Sequence, residues 1–246
     1  MDFEKGIDSI ALGDSLHVKN IQSLDDLNNH LNIVEQQDNT EIQIFDDHHK
    51  VVQNIILNGV SYNDLFGDNS LNMSNEDKLG SLLNNGNLKL SDNFGNQQDN
   101  TLVADNQGES LFGFDGNDIL VAGQGNDILT GGNGNDMFTW HDTSLSTVSN
   151  TDTIIDFDLG KDKIDIRELL ANDDKSDIDD LLKHVSADVD SKGNVNLTVD
   201  SDNGHTQNID ININPHYDLG LADGASSADI VSSLFNHNAF QVDNNH

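Results

Sequence analysis

The chain of 246 residues has no cysteine, a single proline, a single tryptophan and only 11 basic residues. Without cysteine there are no disulfide staples, no thiolate zinc site and no cysteine nucleophile. Eleven Lys and Arg against 44 Asp and Glu leave a formal charge of −33. A surface so short of positive charge repels nucleic acid, which needs a basic footprint, and repels an anionic membrane face as well. No apolar run reaches the roughly 18 residues of a membrane-spanning helix. The opening MDFEKGIDSI lacks the basic-then-apolar pattern of a secretory leader. Hydrophobic residues make up 35% and aromatics 5%. A chain this acidic and this poor in apolar side chains either stays disordered or needs something to neutralise its carboxylates.

The order of the residues decides for the second. Residues 95–139 divide into GNQQDNTLV, ADNQGESLF, GFDGNDILV, AGQGNDILT and GGNGNDMFT, five segments with a strict period of nine. The eighth positions are Leu102, Leu111, Leu120, Leu129 and Phe138, and the sixth are Asn100, Glu109, Asp118, Asp127 and Asp136. The last three segments follow GGxGxDxUx, with U a large apolar residue. Glycines let the chain curl into a tight loop that turns carbonyls inward, and the aspartate closes the loop with a carboxylate. These are the hard oxygen ligands that calcium takes, six to eight to an ion. The x-U-x triplet is a short strand whose central side chain points to one face. Two segments make one coil, so loops 18 residues apart stack on the same edge and share an ion.

The predicted calcium residues are therefore Gly113, Asp115, Gly116 and Asp118 together with Gly131, Gly132, Gly134 and Asp136 on one edge. Gly123, Gly125 and Asp127 pair with the weaker Glu109 loop on the other. Asp115 is expected to contribute its main-chain carbonyl. Asp99 or Asn100 offers the close of a weak first site or, foremost, a plain solvated loop. A phosphate loop is excluded, since no GK[ST] follows and the carboxylates would repel phosphate.

Residues 113–139 resemble the calcium-binding nonapeptide repeats of the repeats-in-toxin (RTX) proteins, and Asp152–Ile166 is similar to the segment that follows such repeats in type I secreted proteins. Residues 141–246 as a whole resemble the C-terminal target domain of type I secretion substrates, large adhesins above all. The resemblance implies a parallel β-roll, Ca2+ as the bound ion, and export by an ABC transporter, an adaptor and an outer-membrane channel under an uncleaved C-terminal signal. It places the protein outside, or on the surface of, a Gram-negative cell.

A longer duplication runs beneath the short one. Asp2-Phe3, Gly6, Asp8 and Ile10 match Asp156-Phe157, Gly160, Asp162 and Ile164 at an offset of 154. Gln53-Asn54-Ile55 match Gln207-Asn208-Ile209 at the same offset, and Asp77, Ser81 and Leu82 match Asp229, Ser233 and Leu234 at 152. The predicted fold is thus mainly β: a short calcium-binding roll over 91–140 flanked by two copies of a small α+β capping module, 1–90 and 141–246. Each copy is read as a strand, glycine turn and strand over DFxxGxDxI, then a helix, a β-hairpin, a second helix and a terminal strand. The first copy starts inside its own DFxxGxD segment, so the chain is expected to be a piece of a longer protein. Leu169, Leu170, Leu181, Leu234 and Phe235 are expected to cover the end of the roll, and Trp140 to seal it.

Other candidate sites are weaker. Asp152, Asp156 and Asp158 surround the exit from the repeats and offer either one more ion site or plain turn residues. Asp188-x-Asp190 lacks the closing glutamate of a helix-loop-helix calcium site. His48-His49 reads as a surface pair in a turn. No HExxH or GxSxG occurs. The expectation is a non-enzymatic, monomeric calcium-folding and export module of a secreted protein, foremost an adhesin. The alternative is the tail of a secreted hydrolase, protease or lipase. A calcium-dependent sugar-binding module ranks last, given so few aromatic platforms.

Overall fold

The structure is a computed structural model, described here over residues 10–12, 24–37, 39–46, 48–67, 72–85, 87–90, 93–105, 107–141, 150–170, 178–201, 206–214, 218–222 and 224–241. The chain forms two compact units, Met1–Gln98 and Asp99–His246.

The first unit opens with β1 (Ile10–Ala11) and helix α1 (Leu24–His30), followed by strands β2 (Leu31–Gln36), β3 (Asn39–Phe45) and β4 (Val51–Leu57). The three strands make an antiparallel sheet in the order β2-β3-β4. Two short helices follow, α2 (Tyr62–Phe66) and α3 (Asn75–Asn84), then β5 (Leu88–Lys89) and β6 (Phe94–Asn96). Each of these helices starts in a reciprocal cap: Ser61 with Asp64, and Ser74 with Asp77. Side chain and backbone there satisfy two orphan N–H groups at once. Leu27, Leu31, Ile42, Ile44, Leu65, Leu79, Leu82 and Leu88 fill the core.

The second unit carries the nine-residue segments. They become β7 (Thr101–Val103), β8 (Ser110–Asp115), β9 (Ile119–Ala122), β10 (Ile128–Asn133) and β11 (Met137–Trp140), joined by β12 (Asn150–Phe157) and β13 (Lys163–Asp165). Alternate strands fall in two parallel sheets. In one, Leu102 registers with Leu120, Leu120 with Phe138 and Phe138 with Ile164. In the other, Leu111 registers with Leu129 and Leu129 with Ile154. The apolar beat read from the sequence is therefore the stacking axis, and it runs past the repeats to Ile154 and Ile164, all fully buried beyond Leu102.

Helix α4 (Ile178–His184), the antiparallel strands β14 (Val185–Val189), β15 (Val195–Asp200) and β16 (Thr206–Ile213), and helix α5 (Ser227–Asn236) complete the unit. Strand β16 joins β12 in parallel, Asn150↔Gln207 through Ile154↔Ile211, which gives one continuous sheet β14-β15-β16-β12-β10-β8. A single apolar core spans both kinds of element. Leu102, Leu111, Leu120 and Leu129 share it with Leu169, Leu170, Leu181 and Leu234, Phe235 packs against it half-buried, and Trp140 is wholly enclosed.

The sequence reading placed the hairpins β3–β4 and β15–β16 and the two longer helices close to where they lie. It missed β2 and β14. The apolar spacing of α1 and α4 continues into Leu31 and Val185, which are the first residues of strands; both are buried and serve either pattern. It missed α2 as well, which is a single turn and too short for a period to show.

Candidate functional site

Each glycine loop ends on a carboxylate, and that carboxylate holds the backbone of the loop one coil before it. Asp118 Oδ1 accepts from Asn100 N at 2.7 Å, Asp136 Oδ1 from Asp118 N at 2.8 Å, and Asp162 Oδ1 from Asp136 N at 3.0 Å. On the other edge Asp127 Oδ1 accepts from Glu109 N at 2.8 Å and Asp152 Oδ1 from Asp127 N at 2.8 Å. These two ladders bring together the residues paired in the sequence, Asp118 with Asp136 and Asp127 with Glu109. They also extend to Asp162 and Asp152. Asp162 is not among the residues that the nine-residue repeat predicts. It lies 26 residues after Asp136 instead of 18, so the nine-residue count does not reach it.

The second oxygen of each carboxylate separates the loops. Asp127 Oδ2 accepts from Gly123 N at 3.1 Å, Asp162 Oδ2 from Asp158 N at 2.7 Å, and Asp152 Oδ2 from both Trp140 Nε1 and Gln207 Nε2. Glu109 Oε2 accepts from Asp105 N at 2.6 Å. Asp118 Oδ2 and Asp136 Oδ2 are buried and, among the described residues, accept from nothing. A buried acceptor left unmade costs about 1–3 kcal/mol, more when it is charged, so these two oxygens call for a cation.

The glycines show why nothing else fills that space. A Cβ on Gly113 would lie 2.2 Å from Asp118 Oδ2 and 2.5 Å from Gly131 O, and one on Gly131 would lie 2.4 Å from Asp136 Oδ2. On Gly132 it would sit 1.8 Å from Phe114 O, and on Gly134 1.7 Å from Gly116 O. Gly132 also has φ +98°, a left-handed conformation that glycine adopts without strain. Main-chain carbonyls of one loop thus press on the glycines of the next, on the edge where the two orphaned carboxylate oxygens lie. Gly116 and Gly125, two positions further along their loops, also have positive φ, and a Cβ would strike Asp105 O from Gly123 and the backbone of Gln107 and Gly108 from Gly125.

Among the described residues no three carboxylate or imidazole side chains converge on one point. An ion held here would draw on one carboxylate per loop and otherwise on carbonyls, a donor set that suits a hard cation. The residues present fit calcium.

Burial pushes the Asp118 carboxyl up to about 7 and Asp136 to about 6, with neighbouring carboxylates adding to the effect. Burial likewise raises Asp162 to about 7 and Asp152 to about 6, and lifts Asp127 and Glu109.

The remaining candidates are tied into the scaffold. Asp156 spends both oxygens on Gly131 N and Gly132 N, and Asp158 meets Lys161 and Asn214. Asp115 Oδ1 takes Asn133 Nδ2 at 2.9 Å. Asp99 and the asparagines Asn117 and Asn135 form an outer ladder of their own: Asn117 N donates to Asp99 Oδ1, and Asn135 N to Asn117 Oδ1. The asparagines, 34 of the 246 residues, are the sequence signal for it. Asp190 closes a β-turn through Lys192 N and Asn194 N, and Asp46 does so beside His48.

The family described as peptidase M10 serralysin C terminal matches residues 61–231, well over half of the chain. Among solved structures, the AlgE6R3 subunit of the Azotobacter vinelandii mannuronan C5-epimerase is 22% identical over 53% of this chain and 85% of its own, with a TM-score of 0.20. The AlgE6R2 subunit of the same epimerase is 17% identical over 57% and 91%, with a TM-score of 0.23. No curated protein matches the chain.

Proposed function

The chain belongs to the peptidase M10 serralysin C-terminal family, and from that premise we propose that it is a non-catalytic calcium-folding module of a secreted protein, built as a parallel β-roll whose glycine loops hold the ion. The observation that carries this reading is the pair of buried, unpartnered oxygens on Asp118 and Asp136, set among carbonyls from loops 18 residues apart.

A bound calcium ion supplies two positive charges that carboxylate and carbonyl oxygens can share. The rest is the work of the chain. Asp118 and Asp136 each present one oxygen to the loop edge and use the other to fix the backbone of the preceding coil. Glycines keep that edge clear of side chains. Without a counter-charge, carboxylates buried in adjacent coils repel and lose hydration together, and strands of three to six residues bury too little to hold the coil against chain entropy. Binding to the folded form alone adds RT ln(1 + [L]/Kd), about 1.4 kcal/mol per site at tenfold excess. Extracellular calcium modules bind at about 10⁻⁴–10⁻³ M, well above cytosolic calcium. The module thus stays unfolded and exportable inside the cell and folds outside.

Type I export follows from the resemblance of residues 141–246, with the ABC transporter, adaptor and channel as partners and a Gram-negative exterior as destination. The adhesin reading of the parent rests on that same resemblance. The tail of a secreted protease is the second reading, favoured by the family's own description. No HExxH occurs in these residues, so on the second reading the protease's zinc motif would lie outside them.

Circular dichroism in chelator and then in millimolar calcium, with calorimetric titration beside it, tests the folding role. A cooperative gain of β signal with calcium, poorly reproduced by magnesium, is expected; identical spectra in both conditions would refute it. Fusion of residues 141–246 to a passenger in a type I-competent host tests export, and retention of the passenger in the cytoplasm would defeat that part.

A further inference from the structure

Strand β4 ends the sheet of the first unit, and among the described residues none pairs with its outer edge. Val51, Val52 and Ile56 on it are 39%, 57% and 53% exposed, and Gln53 and Asn54 are exposed too. A β-branched strand with an open edge is a template for another strand.

The second unit shows what such an edge takes, because the strand pairings and several hydrogen bonds of the first unit recur in it. Leu31 pairs with Ile44 as Val185 pairs with Val199, and Ile44 with Gln53 as Val199 with Gln207. Asn75 Oδ1 accepts from Ile33 N at 2.8 Å where Ser227 Oγ accepts from Ala187 N at 2.8 Å. Ile10 N donates to Asn87 O where Ile164 N donates to Ala239 O. In this register β4 is the counterpart of β16 and β1 of β13.

In the second unit both counterparts are occupied on their far sides. Strand β16 receives β12 in parallel and β13 receives β11. There Gln207 and Ile209 are buried, and Gln207 Nε2 donates to Asp152 Oδ2 at 2.9 Å. In the first unit Gln53 lies open and Ile55 is half-buried.

We propose that β4, with β1, is the docking edge for a second glycine–aspartate coil, which enters through a parallel strand of the Asn150–Phe157 type. Carried over, the register sets residues of the 150–154 type against Gln53–Leu57. Gln53 is then the specificity residue: its amide awaits the aspartate that Gln207 finds in Asp152. A generic strand offers Gln53 no such acceptor.

The test joins residues 99–155 ahead of Asp2 of the full chain, so that Ile155 leads into Asp2 as it leads into Asp156. Hydrogen exchange of β4 is then compared between the original and extended chains in calcium, each with and without Gln53→Ala. The expected result is exchange over 51–57 at least about tenfold slower in the extended chain, with most of that slowing lost on Gln53→Ala. Equal exchange in both chains overturns the proposal, as does slowing indifferent to Gln53→Ala. So does slowing already present in the original chain that grows with concentration, which would mean that a second copy occupies the edge. The resident coil is an internal control, since this inference rests on the calcium reading only for the folding of the added coil. Calcium uptake by the resident coil alone sinks this inference; uptake by neither counts against the calcium reading, and β4 exchange still decides.

Discussion

Asp118 and Asp136 do two jobs with two oxygens, and substitution can separate them. Asp136→Asn keeps an acceptor for Asp118 N and replaces the orphaned anionic oxygen by an amide. It should weaken calcium binding at that edge at least about tenfold, roughly 1.4 kcal/mol, and lower the number of ions counted by calorimetry. Gly132→Ala acts differently. It places a methyl 1.8 Å from Phe114 O at a left-handed φ, so the coil must spread apart. A cost of about 3 kcal/mol is expected from overpacking and backbone strain together, read as a fall of roughly 10 °C in the melting midpoint in saturating calcium.

Among the elements, the carboxylate ladders set a pH dependence for the metal-free coil. Burial raises Asp118, Asp136, Asp152 and Asp162 to between about 6 and about 7, above the 3.8 of an exposed carboxyl. The folded coil therefore binds more protons than the unfolded chain at intermediate pH, and its stability falls as pH rises from about 4 through about 7. In chelator, acidification from pH 8 to about 5 should recover part of the β signal, whereas saturating calcium should flatten the profile near neutrality; a metal-free coil that is more stable at pH 8 would contradict this. The nine-residue beat made the stacked strands and their loops legible, because glycine, aspartate and one apolar residue recur in phase. The ladder ends were harder to see. Asp152 and Asp162 lie 25 and 26 residues beyond their partners, where the connections leave the repeat, and Gln207 is reached only through sheet pairing. Long-range register of that kind has no local pattern to betray it.

For the molecule as a whole, the two units should respond unequally to calcium. The first holds a three-stranded antiparallel sheet, two box-capped helices and a leucine-rich core, with no glycine loop of the GGxGxD kind. The second shares one core between coil and helices. Chelation should release amide protection in β8–β11 while β2 and β3 keep theirs, measured residue by residue in one sample. Simultaneous loss in both units would mean that they fold as one.

Strand β12 sits between β10 and β16, and its neighbours differ in kind. The β14–β15–β16 meander closes over short connections and carries no glycine loop of the GGxGxD kind, so it can assemble early, as local pairings do. Its free flank then gives β12 a surface to lie on, β12 gives one to β10, and β10 to β8. Growth of the sheet is thereby expected to be polar, templated from the carboxyl-terminal side and advancing toward earlier residues, against the direction of synthesis. A ribosome delivers the primer last. A coil built this way has no seed while its chain is being made, and acquires one only when the final strand arrives.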